Sequence, residues 1–154
     1  MTENKFELIN EFRQKVLNAN KEAIKKELFK DLLNRLYANN AETKSVIDAI
    51  STGAETSILN IPREDKMHRG SADTLYNRII IEFENDLKKS LNHAKEQLAG
   101  YLLGQFNSGE GYNFTLIASD FITWSSSQRF AGKHVACSKR CRRYVRQPVY
   151  DGDW

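Results

Sequence analysis

The sequence is poor in cysteine. Cys137 and Cys141 are the only two, so nothing asks for an oxidising compartment and a reducing cytoplasm is the expected one. With His134 they make three potential donors, one short of the four ligands that a structural zinc site uses. Long apolar runs are missing too. None approaches about eighteen residues, so no transmembrane helix is expected. Met1-Thr2-Glu3-Asn4-Lys5 contains no apolar h-region, so no signal peptide is expected either. Excess charge is also lacking, at a net +3 over 154 residues, and it is unevenly spread. Residues 125–154 carry seven basic side chains against Asp151 and Asp153, a net +5, which leaves −2 for residues 1–124. With 40% hydrophobic and 28% charged residues, the composition fits one globular domain.

Apolar periodicity supplies the elements. Residues 3–18 place Phe6, Ile9, Phe12 and Val16 on one helical stripe. Residues 21–37 do the same with Ile24, Leu28, Leu32 and Leu36, beside Phe29 and Leu33, until Asn39-Asn40 stops the helix. Val46–Ile50 makes a turn or two of helix ended by Gly53. Ser57–Ile61 is an expected strand that Pro62 terminates, and Arg63 to Arg69 an expected polar loop. Asn85 or Asp86 caps a helix over 86–103, with Leu87, Leu91, Ala94, Leu98 and Leu102 buried and Gly104 closing it. Phe114–Ala118 is a strand, and Ser119-Asp120 turns it into Phe121–Trp124 as a hairpin partner.

This order implies an α/β (α+β) domain over residues 1–124. It has a central mixed sheet of about four to five strands, a three-strand meander within it, and a right-handed helical crossover. After Trp124 the periodicity stops. Residues 125–154 then form a basic tail, disordered or not native to the domain, with Cys137 to Arg146 as its basic cluster.

The stretch around which the rest is organised runs from Gly70 to Tyr101. Leu75-Tyr76 and Ile79-Ile80-Ile81 flank the polar pair Asn77-Arg78, the pattern of a tight hairpin. In that hairpin Tyr76 faces Ile79, and Asp73 falls opposite Glu82. Glu84 joins Glu82 on the same face because strand side chains alternate. Like charges directly opposite cost up to roughly 1 kcal/mol. A divalent cation would offset that repulsion, and Mg²⁺ favours hard oxygen ligands. Solvent exposure of the carboxylates would offset it too.

Gly70-x-x-Asp73, Glu82-x-Glu84 and Gln97-x-x-x-Tyr101 together resemble the motif series of the PD-(D/E)XK nuclease superfamily, in its Gln-x-x-x-Tyr variant. The resemblance covers roughly residues 20–124. More narrowly, Glu82-Phe83-Glu84-Asn85-Asp86-Leu87, Gln97-Leu98-x-x-Tyr101 and Ser119-Asp120 are similar to the N-terminal nuclease-like region of restriction-modification polypeptides that also carry an adenine-specific DNA methyltransferase. The resemblance implies a restriction-endonuclease-like three-layer core and DNA as substrate. It makes Asp73 and Glu82 ligands of Mg²⁺ or Mn²⁺, and Gln97 and Tyr101 a pair that supports the site or touches DNA. This sequence departs from the pattern at two positions: Ala72 stands for the Pro before Asp73, and Glu84 for the usual Lys. Lys88 or Lys89 is a candidate for the missing ammonium.

Two functions follow as expectations. One is metal-dependent hydrolysis of DNA in a cytoplasmic restriction-modification system, with Asp73, Glu82 and Glu84 catalytic. The other is an inactive or truncated remnant that binds DNA or packs on a methyltransferase. Residues 63–69, just ahead of Asp73, are either solvated or in contact with DNA phosphates. The near-neutral body selects neither function, since phosphate binding needs a basic groove rather than a basic domain.

Overall fold

The computed structural model describes residues 4–37, 41–51, 56–64 and 66–129. Among the described residues it is a mixed α/β arrangement of four helices and two sheets. Helix α1 (Lys5–Asn18) starts at Asn4, whose side chain accepts from the Phe6 amide at 3.1 Å. Its buried line is Leu8, Phe12 and Val16, at i, i+4 and i+8. Phe6 and Ile9, expected inward, are 70% and 48% exposed. At about 100° per residue, Phe6 lies about 120° round the helix from Phe12.

Helix α2 (Glu22–Tyr37) packs through Leu28, Phe29, Leu32 and Leu36, while Ile24 is 44% exposed. Helix α3 (Ala41–Ser51) is longer than the turn or two expected from Val46–Ile50.

Residues expected to be a polar loop are a strand. Strand β1 (Thr56–Arg63) pairs antiparallel with β2 (Lys66–Ala72) in a two-stranded sheet. Pro62 does not end β1; it sits opposite Met67. Pro is tolerated here because a two-stranded ribbon consists of edges, so its missing N–H breaks no inner ladder. Glu64 has φ 51, the left-handed value that a two-residue hairpin turn requires.

The main sheet has the order β3-β4-β5-β6. Strands β3 (Thr74–Tyr76) and β4 (Ile79–Phe83) form the expected hairpin in the expected register: Thr74↔Ile81, Leu75↔Ile80 and Tyr76↔Ile79. Strand β5 (Phe114–Ser119) runs parallel to β4. Parallel neighbours need a crossover, and helix α4 (Leu87–Asn107) supplies it. Asp86, not Asn85, caps α4 by accepting from the Lys88 amide at 3.1 Å. The helix runs past Gly104 to Asn107. Gly104 serves packing instead of closure: a Cβ there would lie 2.6 Å from the Leu59 carbonyl oxygen.

Helices cover both faces of this sheet. Ile80, Leu116 and Ala118 pack with Ala94, Leu98 and Leu102 of α4 and with Ile58 and Ile61 of β1. Ile81 and Phe83 pack with Leu8, Phe12, Val16 and Leu32 of α1 and α2. Phe83 stacks on Phe121, with ring centroids 4.5 Å apart. The turn that presents Phe121 is tied by Asp120, which accepts from the Ile122 and Thr123 amides and from the Leu87 amide at the start of α4.

Of the expected partner strand Phe121–Trp124, Phe121–Thr123 belong to this turn and Trp124 opens β6 (Trp124–Arg129), which pairs antiparallel with β5. Ordered structure therefore extends past residue 124, the expected domain boundary. Cutting the chain after Trp124 strips the ladder that covers β5. We expect that truncation to lower the Tm by several degrees, at about 2–4 °C per kcal/mol for a chain of this size. An unchanged melting curve would show that β6 adds nothing to stability. The rest of the expected tail, with Cys137 to Arg146 and His134, lies outside the described residues. Among the described residues no helix is long and apolar enough to cross a membrane.

Candidate functional site

Asp73 follows the last residue of β2 and precedes β3. Its Oδ2 accepts from the Phe83 amide at 2.8 Å, so the carboxylate continues the β3–β4 ladder where the backbone pairing ends. Its Oδ1 accepts from Lys26 Nζ of α2 at 2.6 Å. The same ammonium lies 2.7 Å from Glu22 Oε1. Burial works against the charged Lys26, but the bonds to Asp73 and Glu22 outweigh it and raise its pKa.

Glu82 lies next to Phe83 on β4, on the α4 side of the sheet. It is 7% exposed, and among the described residues its buried Oε2 has no hydrogen-bond partner. Burial, with the negative charges of Asp73 and then Glu84, pushes its pKa up to about 8. The cross-strand repulsion expected between residues 73 and 82 thus contributes to the raised Glu82 pKa, and the Lys26 charge opposes it. Glu84, just beyond β4, is half-buried. Its amide donates to the Ser119 carbonyl at 2.8 Å, holding the end of β4 against β5. Burial raises the Glu84 pKa, while Ser90 and His93 on α4 pull it back down.

Tyr101 is buried, 5% exposed. Its hydroxyl donates to the Ser71 carbonyl at 2.7 Å, two residues before Asp73. Burial, then the charges of Glu82 and Asp73, lifts its pKa to about 12, against the opposing effects of Gln97 and Arg63. Gln97 acts on Tyr101 from one turn earlier, the expected i,i+4 relation. Gly70 makes the packing possible. A Cβ there would lie 2.9 Å from Tyr101 Cε1 and 2.6 Å from Ile61 Cδ1. The Gly70-x-x-Asp73 and Gln97-x-x-x-Tyr101 signals are therefore physically linked: Tyr101 docks on the strand that delivers Asp73.

The fold thus brings Asp73, Glu82, Glu84, Gln97 and Tyr101 into one region. Neither lysine proposed for the ammonium belongs to it: Lys88 is exposed, and Lys89 pairs with Asp86 at 3.0 Å. The ammonium that does reach Asp73 is that of Lys26, with Glu22 behind it. In the sequence these two are an ordinary i,i+4 pair on the polar side of a helix. Nothing local foretells contact with a residue 47 positions further on.

Among the described residues no three His, Cys, Asp or Glu side chains form a ready-made metal cluster. The donor set nonetheless suits a hard cation. Two neighbouring carboxylates with one unpartnered buried oxygen match the one or two protein ligands that Mg²⁺ commonly takes, with water and phosphate completing its shell. A separate shallow groove, lined by Leu8, Phe12, Leu28 and Leu32 among others, lies between α1 and α2 and includes none of these carboxylates. Comparison with family models, with curated proteins and with solved structures finds no match to this chain.

Proposed function

We propose that the chain is a nuclease-like domain directed at DNA, with a restriction-endonuclease-like three-layer core, acting in a cytoplasmic restriction-modification system. The observation that carries this reading is Glu82 Oε2, buried and unpartnered beside Asp73. A buried carboxylate oxygen without a donor is costly unless protonated or met by a cation. Asp73 and Glu82 would hold Mg²⁺ or Mn²⁺. The ion supplies Lewis-acid chemistry toward a phosphodiester. Glu84, its pKa raised by burial, would take a proton from a water or add a further oxygen. Lys26 supplies the cationic partner that Glu84 cannot. Tyr101 and Gln97 position Asp73 through Ser71.

One observation favours a second reading. Lys26 already neutralises Asp73, and a lysine held on both Asp73 and Glu22 competes with a metal. On that reading the chain is an inactive remnant that binds DNA or docks on a methyltransferase. The test is nicking of supercoiled plasmid with Mg²⁺ or Mn²⁺, wild type beside Asp73→Ala. Metal-dependent nicking that falls to background in the variant is the expected result. Absence of nicking by the wild type in either metal would leave only the remnant reading.

A further inference from the structure

The β1–β2 hairpin is built as an arm. Lys66, Met67, His68 and Arg69 are all exposed, Met67 at 63%, and among the described residues β2 pairs with β1 alone. Its base is fixed. Asn60, at a bulge with φ 60, accepts from Asn107 Nδ2 at 2.9 Å and donates to Ser108 Oγ at 3.1 Å, both at the end of α4.

The arm carries cations on both faces. The pairs Ile61↔His68 and Arg63↔Lys66 put Arg63, Lys66 and His68 on the Ile61 face. That face turns toward α4, since Ile61 meets Gly100 and Gly104 and the Arg63 charge acts on the Tyr101 hydroxyl. Arg69 is on the other face, its guanidinium held by Ser57 Oγ at 3.0 Å. Among the described residues no ion pair engages Arg63, Lys66, His68 or Arg69. The described acid of this segment, Glu64, lies at the turn.

We propose that this hairpin enters the major groove of duplex DNA beside the carboxylate site, Arg63, Lys66 and Arg69 meeting phosphates and Met67 the groove floor. The inference rests on the DNA-directed reading above and names the element that engages the duplex. Two strands about 4.8 Å apart fit a groove about 12 Å wide. The exposed end of the arm, beyond Ile61, offers cations to both walls of a groove; a flat acidic surface would use one face. The major groove of duplex RNA is too narrow to admit it.

The test uses the full chain with Ca²⁺, a hard cation that takes carboxylate oxygens, and a DNA duplex of about two helical turns. Arg63→Ala/Lys66→Ala is expected to weaken binding at least about tenfold and to lower the slope of log affinity against log salt by about 2. The Tm should be unchanged, and Lys66→Glu alone serves as a second variant at an exposed site. The major-groove dye methyl green should displace the protein, the minor-groove binder netropsin should not, and an RNA duplex should bind at least about tenfold more weakly. Variants that bind like wild type, or displacement by netropsin alone, would overturn the hairpin proposal and leave the nuclease reading standing. A wild type that neither binds nor nicks any duplex would overturn both.

Discussion

Glu82→Gln is expected to make the metal-free protein more stable at pH 8 and to leave it almost unchanged at pH 5. The folded pKa of Glu82 is about 8, against 4.5 for the free side chain. Between those values the folded chain keeps a proton that the unfolded chain has released. Stability tied to this group is therefore fully present below about pH 4.5, falls as pH rises through the window, and is lost above about 8. At 1.36 kcal/mol per unit, the fall from pH 5 to pH 8 is at most about 4 kcal/mol. Glutamine keeps the uncharged amide at every pH and removes that slope. Glu84, raised in the same direction, leaves a smaller residual fall. Urea unfolding in EDTA at both pH values, at fixed ionic strength, measures the difference. A metal ion should restore wild type at pH 8 by about 2.7 kcal/mol at a hundredfold excess over Kd, and should do nothing for Glu82→Gln. Equal pH slopes in the two proteins would mean that another group titrates. A wild type indifferent to Mg²⁺ and Mn²⁺ would remove the metal site.

The elements legible in the sequence were those with an apolar signal. The β3–β4 register followed from Leu75-Tyr76 and Ile79-Ile80-Ile81 around a two-residue turn, and with it the meeting of residues 73 and 82. The α4 stripe followed from Leu87, Ala94, Leu98 and Leu102. The missed strands lack such a signal. Lys66–Arg69 is exposed, so no apolar alternation marks it. Ser125-Ser126-Ser127-Gln128 is held by its ladder to β5 and not by apolar side chains. Gly104 matched a helix stop by residue type, yet its lost Cβ makes room for the Leu59 carbonyl, which is a tertiary reason. Lys26 was illegible on the same ground: its partner is fixed by how α2 lies across the sheet, not by its neighbours in sequence.

That lysine separates the two functional readings most sharply. Lys26→Met keeps the length of the stem and removes the charge. Asp73 then loses its 2.6 Å partner while keeping the Phe83 amide, and Glu22 loses its own partner. Removing one member of a partly buried ion pair destabilises the fold, by about 3 kcal/mol at the upper end, because Asp73 is left charged among other carboxylates. The same crowding strengthens the pull on a cation, so Mg²⁺ should bind more tightly and recover much of the lost stability. Nicking decides what the ammonium does. If Lys26 steadies the charge that builds on the phosphate, Lys26→Met should cut plasmid at least about 10²-fold more slowly at saturating metal, the range seen when one charge-stabilising donor is removed. If Lys26 only blocks the metal, the variant should bind metal better and cut at least as fast as wild type. Titration calorimetry with Mn²⁺, paired with nicking rates at saturating metal, measures both halves. We expect tighter metal binding together with slower cutting, because the distances place the ammonium on Asp73 itself. Tighter binding with undiminished cutting would reduce Lys26 to a competitor for the site.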